Sequence, residues 1–152
     1  MSDRPMEMDD FLDDPGRMVR VSTTNADGTP HIVPLCFKFH RDNGTFFLST
    51  GSDSVTVKNL KRNPYIALCI DDDEFPFRAV VVEGLAEVSE EMGTDHEGLK
   101  TVVDQFFGEG MWEKYKDAPT AQKIRVRVNV DPSKWKWWDF RRKIVGSQKI
   151  GL

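Results

Sequence analysis

The chain has 152 residues, of which 39% are hydrophobic, 11% aromatic and 30% charged, and its formal net charge is −4. A chain of this size and composition can bury a core without disulfides or a structural metal, so we expect one domain over 1–152 and exclude a disordered chain. The acidic first residues lack the basic and apolar parts of a signal peptide, and no apolar run is long enough to span a bilayer, so we expect a cytoplasmic protein that does not contact a membrane.

The first third of the chain is predicted to consist mainly of β-strands. Apolar residues at helical spacing predict a short helix over 7–14, which Asp14-Pro15-Gly16 ends. Asp27-Gly28 and Arg41-Asp-Asn-Gly44 supply hairpin turns between segments rich in β-branched and aromatic residues. These segments predict strands over 18–24, 32–39 and 45–50.

The rest of the chain combines strands with helices. A hydroxyl-rich turn followed by helical spacing predicts a helix over 54–62. Strands are predicted over 65–70, 77–88 and 123–130, with a bulge or bend at Gly84. Two weaker helical patterns lie between 90 and 116, and Asp131-Pro132 predicts a turn to a last strand through Trp138. This order indicates an antiparallel β-barrel with helices at its rim.

The segment from Thr50 to Leu60 has the pattern of an anion site. A strand end leads into a hydroxyl-rich turn and the start of a helix, where free backbone N–H groups and the helix dipole attract negative charge. Hydroxyl donors and one cation lie within it, at Ser52, Ser54, Thr56 and Lys58. The same pattern fits a plain helix N-cap, and spacing alone does not separate a phosphate site from a cap.

Short motifs occur in a fixed order along nearly the whole chain. They are Ser22-Thr-Thr24, Asp27-Gly-Thr-Pro30, Pro34, Thr50, Ser54-Val-Thr-Val-Lys-Asn-Leu60, Asn63-Pro64, Val82-Glu-Gly-Leu-Ala86, Pro132 and Trp138-Asp-Phe140. This ordered set resembles the pyridoxamine 5'-phosphate oxidase-like family of flavin- or deazaflavin-binding proteins. The resemblance implies a mainly β fold, a split antiparallel β-barrel with rim helices.

The resemblance also implies a cofactor, FMN or alternatively a deazaflavin coenzyme, bound at a homodimer interface. Its ring would lie along the second and third strands and its phosphate would meet the turn after Thr50. The cofactor-binding residues implied or considered in this way are Pro34, Leu35, Cys36, Phe37, Thr50, Ser52, Ser54, Thr56, Lys58, Asn59, Arg78 and Trp138. The family's phosphate-binding lysine falls at Thr56, so a hydroxyl stands where a stronger, charged donor is usual.

One arginine and three tryptophans need separate comment. Arg78 could reach an anionic cofactor, or it could pair with a carboxylate of the run from Asp71 to Asp73. By the resemblance, Trp138 would pack at the dimer interface near the partner's ring. Trp135 and Trp137 fit packing in the core or an interface.

The sequence contains no arrangement of nucleophile and general base, and neither Cys36 nor Cys69 has metal-ligand spacing, so we predict no catalytic side chain and no metal. This is consistent with a cofactor that carries the hydride. The first hypothesis is therefore an oxidoreductase that passes a hydride between the cofactor and a small organic substrate. The second is a non-catalytic protein that stores or senses a flavin or another planar ligand. A third, single-stranded nucleic-acid binding by the basic and aromatic segment 135–143, is opposed by the net acidity.

Overall fold

Strands make up most of the secondary structure in the computed structural model, which describes residues 4–141. The elements are α1 (Met6–Asp13), β1 (Val19–Thr24), β2 (Pro30–Leu35), β3 (Lys38–His40), β4 (Thr45–Gly51), α2 (Val55–Arg62), β5 (Tyr65–Asp71), β6 (Arg78–Val88), α3 (His96–Phe107), α4 (Trp112–Tyr115) and β7 (Arg125–Asp139). A 3-10 turn at Pro119–Gln122 leads into β7.

The seven strands form one antiparallel sheet in the order β2-β1-β5-β6-β7-β4-β3. The sheet curls so that β-branched and aromatic side chains of six strands meet in one buried cluster with α1 and α2. The short strands β2 and β3 lie at its two edges, and β2 carries Pro30 and Pro34. The predicted split antiparallel β-barrel is confirmed.

The centre of the sheet corrects one prediction and confirms another. The turn predicted at Asp131-Pro132 is wrong, because β7 continues through Pro132 to Asp139. Opposite Pro132 the register with β6 shifts between Glu83 and Gly84. A β-carbon on Gly84 would lie 2.3 Å from the backbone oxygen of Asp131, so only glycine allows this close approach of the two strands. The predicted bulge at Gly84 absorbs the proline without ending the strand.

The single strand predicted over 32–39 is also wrong, since it is two strands with different partners. β2 pairs with β1, whereas β3 pairs with β4 at the opposite edge of the sheet. Cys36 and Phe37 connect the two. The chain crosses from one sheet edge to the other at this point, and this crossing closes the barrel.

Two helices cover opposite ends of the barrel. At the start of β1, α1 buries Phe11, whose ring centroid lies 5.4 Å from that of Trp137. Beyond the end of β1, α2 inserts Val57 and Leu60 into the core. The predicted helix over 54–62 is confirmed, with Ser54 as its N-cap.

A second cluster lies outside the sheet, where α3, α4 and the 3-10 turn cover β4. It buries Phe47, Leu99, Val102, Val103, Trp112 and Ala121. The two helical patterns predicted between 90 and 116 are confirmed as α3 and α4. Trp135 and Trp137 pack against the main core, as predicted. Over residues 4–141, none of the helices has both the length and the apolar character needed to cross a membrane.

Candidate functional site

The last two residues of β4 and the turn that follows them, residues 50–54, are held by backbone hydrogen bonds; we call this segment the hydroxyl turn. The Ser52 N–H donates to the Ile124 oxygen at 3.0 Å, and the Ser54 N–H donates to the Gly51 oxygen at 3.1 Å. The Ser54 Oγ accepts a hydrogen bond from the Val57 N–H at 3.2 Å. Ser54 is therefore the N-cap of α2, which was one of the two interpretations of this segment. The Thr50 side chain is buried, Ser52 is half-buried and Asp53 is exposed.

The predicted site residues on α2 differ in accessibility. Lys58 is exposed, whereas Thr56 and Asn59 are each only 3% exposed. The Asn59 Nδ2 donates to the Thr23 Oγ1 at 3.1 Å and to the Asn25 Oδ1 at 3.0 Å. The Asn59 side chain therefore anchors α2 to β1 and to the turn that follows β1, and its contact with a cofactor stays a prediction.

The residues predicted to line a ring lie on both sides of the sheet. Pro34 is exposed and Leu35 and Cys36 are half-buried, whereas the Phe37 ring is in the main core, 6.0 Å from the Phe46 ring. Burial raises the pKa of the Cys36 thiol, and the nearby Arg125 guanidinium partly offsets this effect. Cys36 is therefore a neutral thiol at physiological pH. Any contact between Phe37 and a ring on the outside of the sheet would have to use its backbone.

Arg78 pairs with a carboxylate, which was one of its two predicted alternatives. Its Nε donates to the Asp72 Oδ2 at 2.6 Å, and the Arg17 Nη2 donates to the Asp72 Oδ1 at 2.8 Å. Burial raises the pKa of Asp72, but the hydrogen bonds from Arg78 and Arg17 outweigh it and hold this pKa below its usual value. Two part-buried guanidinium groups thus share one carboxylate.

A groove of about 870 Å³ lies beside this pair; we call it the arginine groove. Of the predicted site residues, Pro34 and Arg78 line it. Its other lining residues lie in the α1–β1 connection and β1, in the segment 71–76, on α3 and after β7, namely Asp14, Pro15, Gly16, Arg17, Met18, Arg20, Asp71, Asp72, Asp73, Glu74, Phe75, Pro76, Phe106 and Arg141.

Trp138 is half-buried, opposite Ala79 on β6.

Two of the predicted site residues, Pro34 and Arg78, therefore lie at the groove near the start of β1, whereas those on α2 lie near its end. Arg17 and Arg20, at its start, lie at the groove, whereas Thr23 and Thr24, at its end, contact α2. The distance from Arg17 to Thr24 along an extended chain is about 23 Å. The lining of the arginine groove, as far as residues 4–141 show it, includes no residue of α2 or of the hydroxyl turn.

The outer face of the sheet, formed by the β1, β2, β5 and β6 side chains that point away from the core, is partly apolar. Ile32, Tyr65 and Leu85 lie on it and are 68%, 66% and 49% exposed. Tyr65 and Leu85 are register partners, and Ile32 is opposite Ser22. Large exposed apolar side chains grouped on one face are typical of an interaction surface.

Arg125 was not among the site residues predicted from the sequence. In the structure it is buried, with 9% of its surface exposed. Its Nε donates to the Ser49 Oγ at 2.9 Å, its Nη2 to the Ser49 oxygen at 2.7 Å and its Nη1 to the Thr120 oxygen at 3.1 Å. Charged and apolar residues alternate along 123–130, a pattern typical of a half-exposed strand, which would leave Arg125 in solvent. In the structure α3, α4 and the 3-10 turn form a helical layer over this face of the sheet. The weak helical patterns before β7 were the only sign of this layer in the sequence.

The family model for pyridoxamine 5'-phosphate oxidase matches residues 5–139. The chain belongs to this family. A reductase of 5a,11a-dehydrotetracycline and 5a,11a-dehydrooxytetracycline from Streptomyces rimosus is 36% identical over 75 residues, which is 45% of this chain and 52% of the relative. The match thus spans about half the length of that curated relative.

Two solved structures illustrate the fold of the pyridoxamine 5'-phosphate oxidase family. A conserved hypothetical protein, Rv2991 from Mycobacterium tuberculosis, superposes with a TM-score of 0.74 and 25% identity, over 100% of this chain and 93% of that one. An F420 reductase superposes with a TM-score of 0.64 and 23% identity, over 82% of this chain and 93% of that one. Such likenesses support the barrel and its topology.

The donors around the hydroxyl turn fit the anionic part of a flavin-type cofactor of this family. The start of α2, the Ser52 hydroxyl and the exposed Lys58 ammonium group all favour negative charge. Asp53 opposes it: the residue is exposed, and its Oδ1 lies over Gly51, 3.2 Å from where a β-carbon would be. Thr56, at the position where the resemblance implied a lysine in the family, is buried and adds no charge to this set.

Proposed function

We propose that this protein is a flavin- or deazaflavin-dependent oxidoreductase that passes a hydride between the bound cofactor and a small organic substrate. The observation that carries the proposal is the family match over residues 5–139, because it includes both groups of predicted site residues. A relative and a structural neighbour that are reductases by name support this class of reaction.

In this proposal the hydroxyl turn and α2 bind the phosphate of the cofactor, FMN or alternatively a deazaflavin. Ser54 fixes the start of α2, so that the remaining helix N–H groups have a defined direction. Lys58 adds an exposed positive charge near the same end of the helix. When bound, the cofactor supplies the hydride chemistry, and the side chains of the chain bind it, orient it and exclude water.

We further propose that the active form is a symmetric homodimer in which the outer faces meet. The two groups of predicted site residues are separated along β1 in one subunit, and a second copy would place its groove end beside the first copy's turn. Burial of Ile32, Tyr65 and Leu85 would favour this contact, because each is mostly or half exposed in the single chain. Trp138 would then lie near the partner's cofactor.

The arginine groove is the proposed entrance for the substrate. Its volume is within the range of about 300–1,000 Å³ that is usual for small-molecule sites. Apolar surface comes from Met18, Pro34, Phe75 and Phe106. The reductase from Streptomyces rimosus makes a dehydrotetracycline the first substrate to test.

The absorption spectrum of freshly purified protein, followed by titration with FMN and with a deazaflavin coenzyme, tests the cofactor. We expect one of them to bind, and turnover of the reduced cofactor in the presence of substrate would establish the oxidoreductase. Binding without turnover of any substrate would favour the storage alternative. Absence of binding by both cofactors would contradict the proposed function.

Sedimentation tests the homodimer, for which we expect twice the chain mass of 17.4 kDa. The variant Leu85→Glu places a charge on the outer face and should produce monomers that bind the cofactor more weakly. The control is Met6→Glu, because Met6 is also an exposed apolar residue but lies on α1. A wild-type monomer, or equal dissociation in both variants, would contradict the proposed interface.

A further inference from the structure

Arg125 differs from the other arginines of the described chain in having burial without a counter-charge. Within residues 4–141, only Arg62 and Arg125 form no ion pair with a carboxylate. Arg62 is exposed, so water solvates its charge, whereas Arg125 is 9% exposed. A buried charge is costly unless it is paired, so this guanidinium group needs an explanation.

The nearest carboxylate does not neutralise Arg125. Asp95 interacts with it electrostatically, but the Asp95 carboxylate accepts hydrogen bonds from both Nε and Nη2 of Arg127, and also from the Gly98 N–H. Two guanidinium groups thus share the field of one buried carboxylate. Glu97 also acts on Arg127, but from the exposed side of α3. One positive charge is left over beneath the helical layer.

The backbone of Arg125 lies beside the hydroxyl turn, and its guanidinium group bonds to Ser49, two residues before Gly51 on β4. Arg125 is the register partner of Gly51, and the Ser52 N–H bonds to the residue just before Arg125. Gly51 has no side chain, and the Asp53 Oδ1 lies 3.2 Å from where its β-carbon would be. Cys36, one of the residues predicted to line the cofactor ring, is close enough for its thiol to interact electrostatically with Arg125. Burial lowers the pKa of Arg125, and a bound anion would reverse that effect.

We infer that Arg125 binds the phosphate group of the cofactor and supplies the positive charge that is absent at Thr56. This inference rests on the proposed function for the identity of the ligand, and on the geometry alone for the anion site. Three of the five guanidinium N–H groups are used by Ser49 and Thr120, which fix the plane of the group. The other N–H groups remain for the phosphate oxygens, as a charge-assisted contact.

The test compares FMN with riboflavin, which has the same ring and no phosphate, in wild-type protein and in Arg125→Gln. We expect Arg125→Gln to weaken FMN binding by about tenfold or more, because a charge-assisted hydrogen bond is lost, and to leave riboflavin binding unchanged. Arg62→Gln is the control, since it removes an arginine that also lacks an ion pair, from the far end of α2. It should bind both flavins like the wild type.

A structural role for Arg125 would weaken FMN and riboflavin equally, and that result would overturn the inference. Circular dichroism checks folding, and Arg125→Met, which also removes the charge, replaces Arg125→Gln in the comparison if the latter does not fold. If wild-type protein binds no flavin, the proposed function fails, and inorganic phosphate then tests the anion site by thermal unfolding. A phosphate-induced rise in Tm that the Arg125 variant lacks supports the inference, whereas equal shifts, or no shift in either protein, overturn it.

Discussion

The two ends of β1 hold arginines in opposite electrostatic conditions. At the arginine groove, Arg17 and Arg78 share Asp72, and Arg20 pairs with Asp71. At the hydroxyl turn, Arg125 is more deeply buried and has no carboxylate partner within the described chain. The number of cations near a cavity is therefore a poor guide to anion binding. The informative quantity is the charge left after the internal pairs are counted.

The groove-end arginines are expected to act on the stability of the fold, and the turn-end arginine on ligand affinity. Asp72 pairs with Arg17, just before β1, and with Arg78, at the start of β6. This shared, part-buried carboxylate therefore joins the two strands. Arg125 bonds to Ser49 and Thr120 through neutral acceptors, so its charge is left for an anion. Substitutions at each end separate these two roles.

Asp72→Asn is expected to have the largest effect on stability. It leaves the part-buried guanidinium group of Arg78 without its carboxylate partner and that of Arg17 with only the more exposed Asp14, which should lower the free energy of unfolding by about 3 kcal/mol. Urea denaturation at neutral pH measures this change. A loss no larger than that of an exposed surface substitution would show that the pairs at the groove do not hold the fold.

The pH dependence of the same variant provides its control. Because the pKa of Asp72 is depressed in the folded state, its contribution to stability is complete above the unfolded value of about 3.9 and is lost as the pH falls through the folded value. The stability difference between wild type and Asp72→Asn should therefore shrink below about pH 4. A difference that stays constant into acid would contradict an ionic cause.

Asn59→Ala is expected to have the next largest effect on stability. It removes a buried amide that bonds to Thr23, Asn25 and Arg62, and this should cost about 2 kcal/mol of unfolding free energy. Arg62→Gln, which removes only the exposed partner, should cost much less. Thermal unfolding measures both. Equal effects would contradict the view that the Asn59 amide is the anchor of α2.

Ser54→Ala should cost about 1 kcal/mol, because it removes the N-cap of α2. Ser54→Asp sharpens the comparison, since aspartate caps a helix as well as serine does but adds a negative charge at the turn. We expect Ser54→Asp to keep the stability of the wild type and to weaken FMN binding. An unchanged FMN affinity in Ser54→Asp would place the phosphate elsewhere.

Lys58→Ala should have the smallest effect of these variants. We expect it to change FMN affinity and to leave stability almost unchanged. Because Lys58 is exposed, the free energy of unfolding should change by less than about 0.5 kcal/mol. FMN affinity should fall by at most about fivefold, as for a solvent-screened charge. The control is Lys61→Ala, in the last turn of the same helix. Isothermal titration measures both, and equal losses would indicate a general charge effect.

Local signals in the sequence predicted much of the fold. The hydroxyl residues before 54–62 marked the start of α2, and Gly84 marked a bulge, because both depend on the conformational preferences of one residue. Pro132 was misinterpreted for a tertiary reason. A proline usually ends a strand, but the register shift at Gly84 leaves room for it within β7.

The candidate site was less predictable because it depends on what covers the sheet. Arg125 alternates with apolar residues, so the sequence pattern assigned it to solvent, and only the packing of α3, α4 and the 3-10 turn buries it. The split of 32–39 into β2 and β3 has the same origin. Closure of a barrel is a long-range property, and the apolar residues of 32–39 carry no mark of where the chain changes partners.

The two prolines of β2 restrict how copies of this protein can aggregate. An edge strand normally offers a row of free N–H and C=O groups that can template another strand and start a fibre. Pro30 and Pro34 sit opposite Thr24 and Arg20, and because proline cannot donate a ladder hydrogen bond, their nitrogens must face the open side of the edge. Two of the six residues of β2 therefore lack the N–H group that a neighbouring strand would need. Addition of further strands along the edge of β2 is therefore disfavoured. Contact through the faces of the sheet is left as the alternative for two copies that associate near β2.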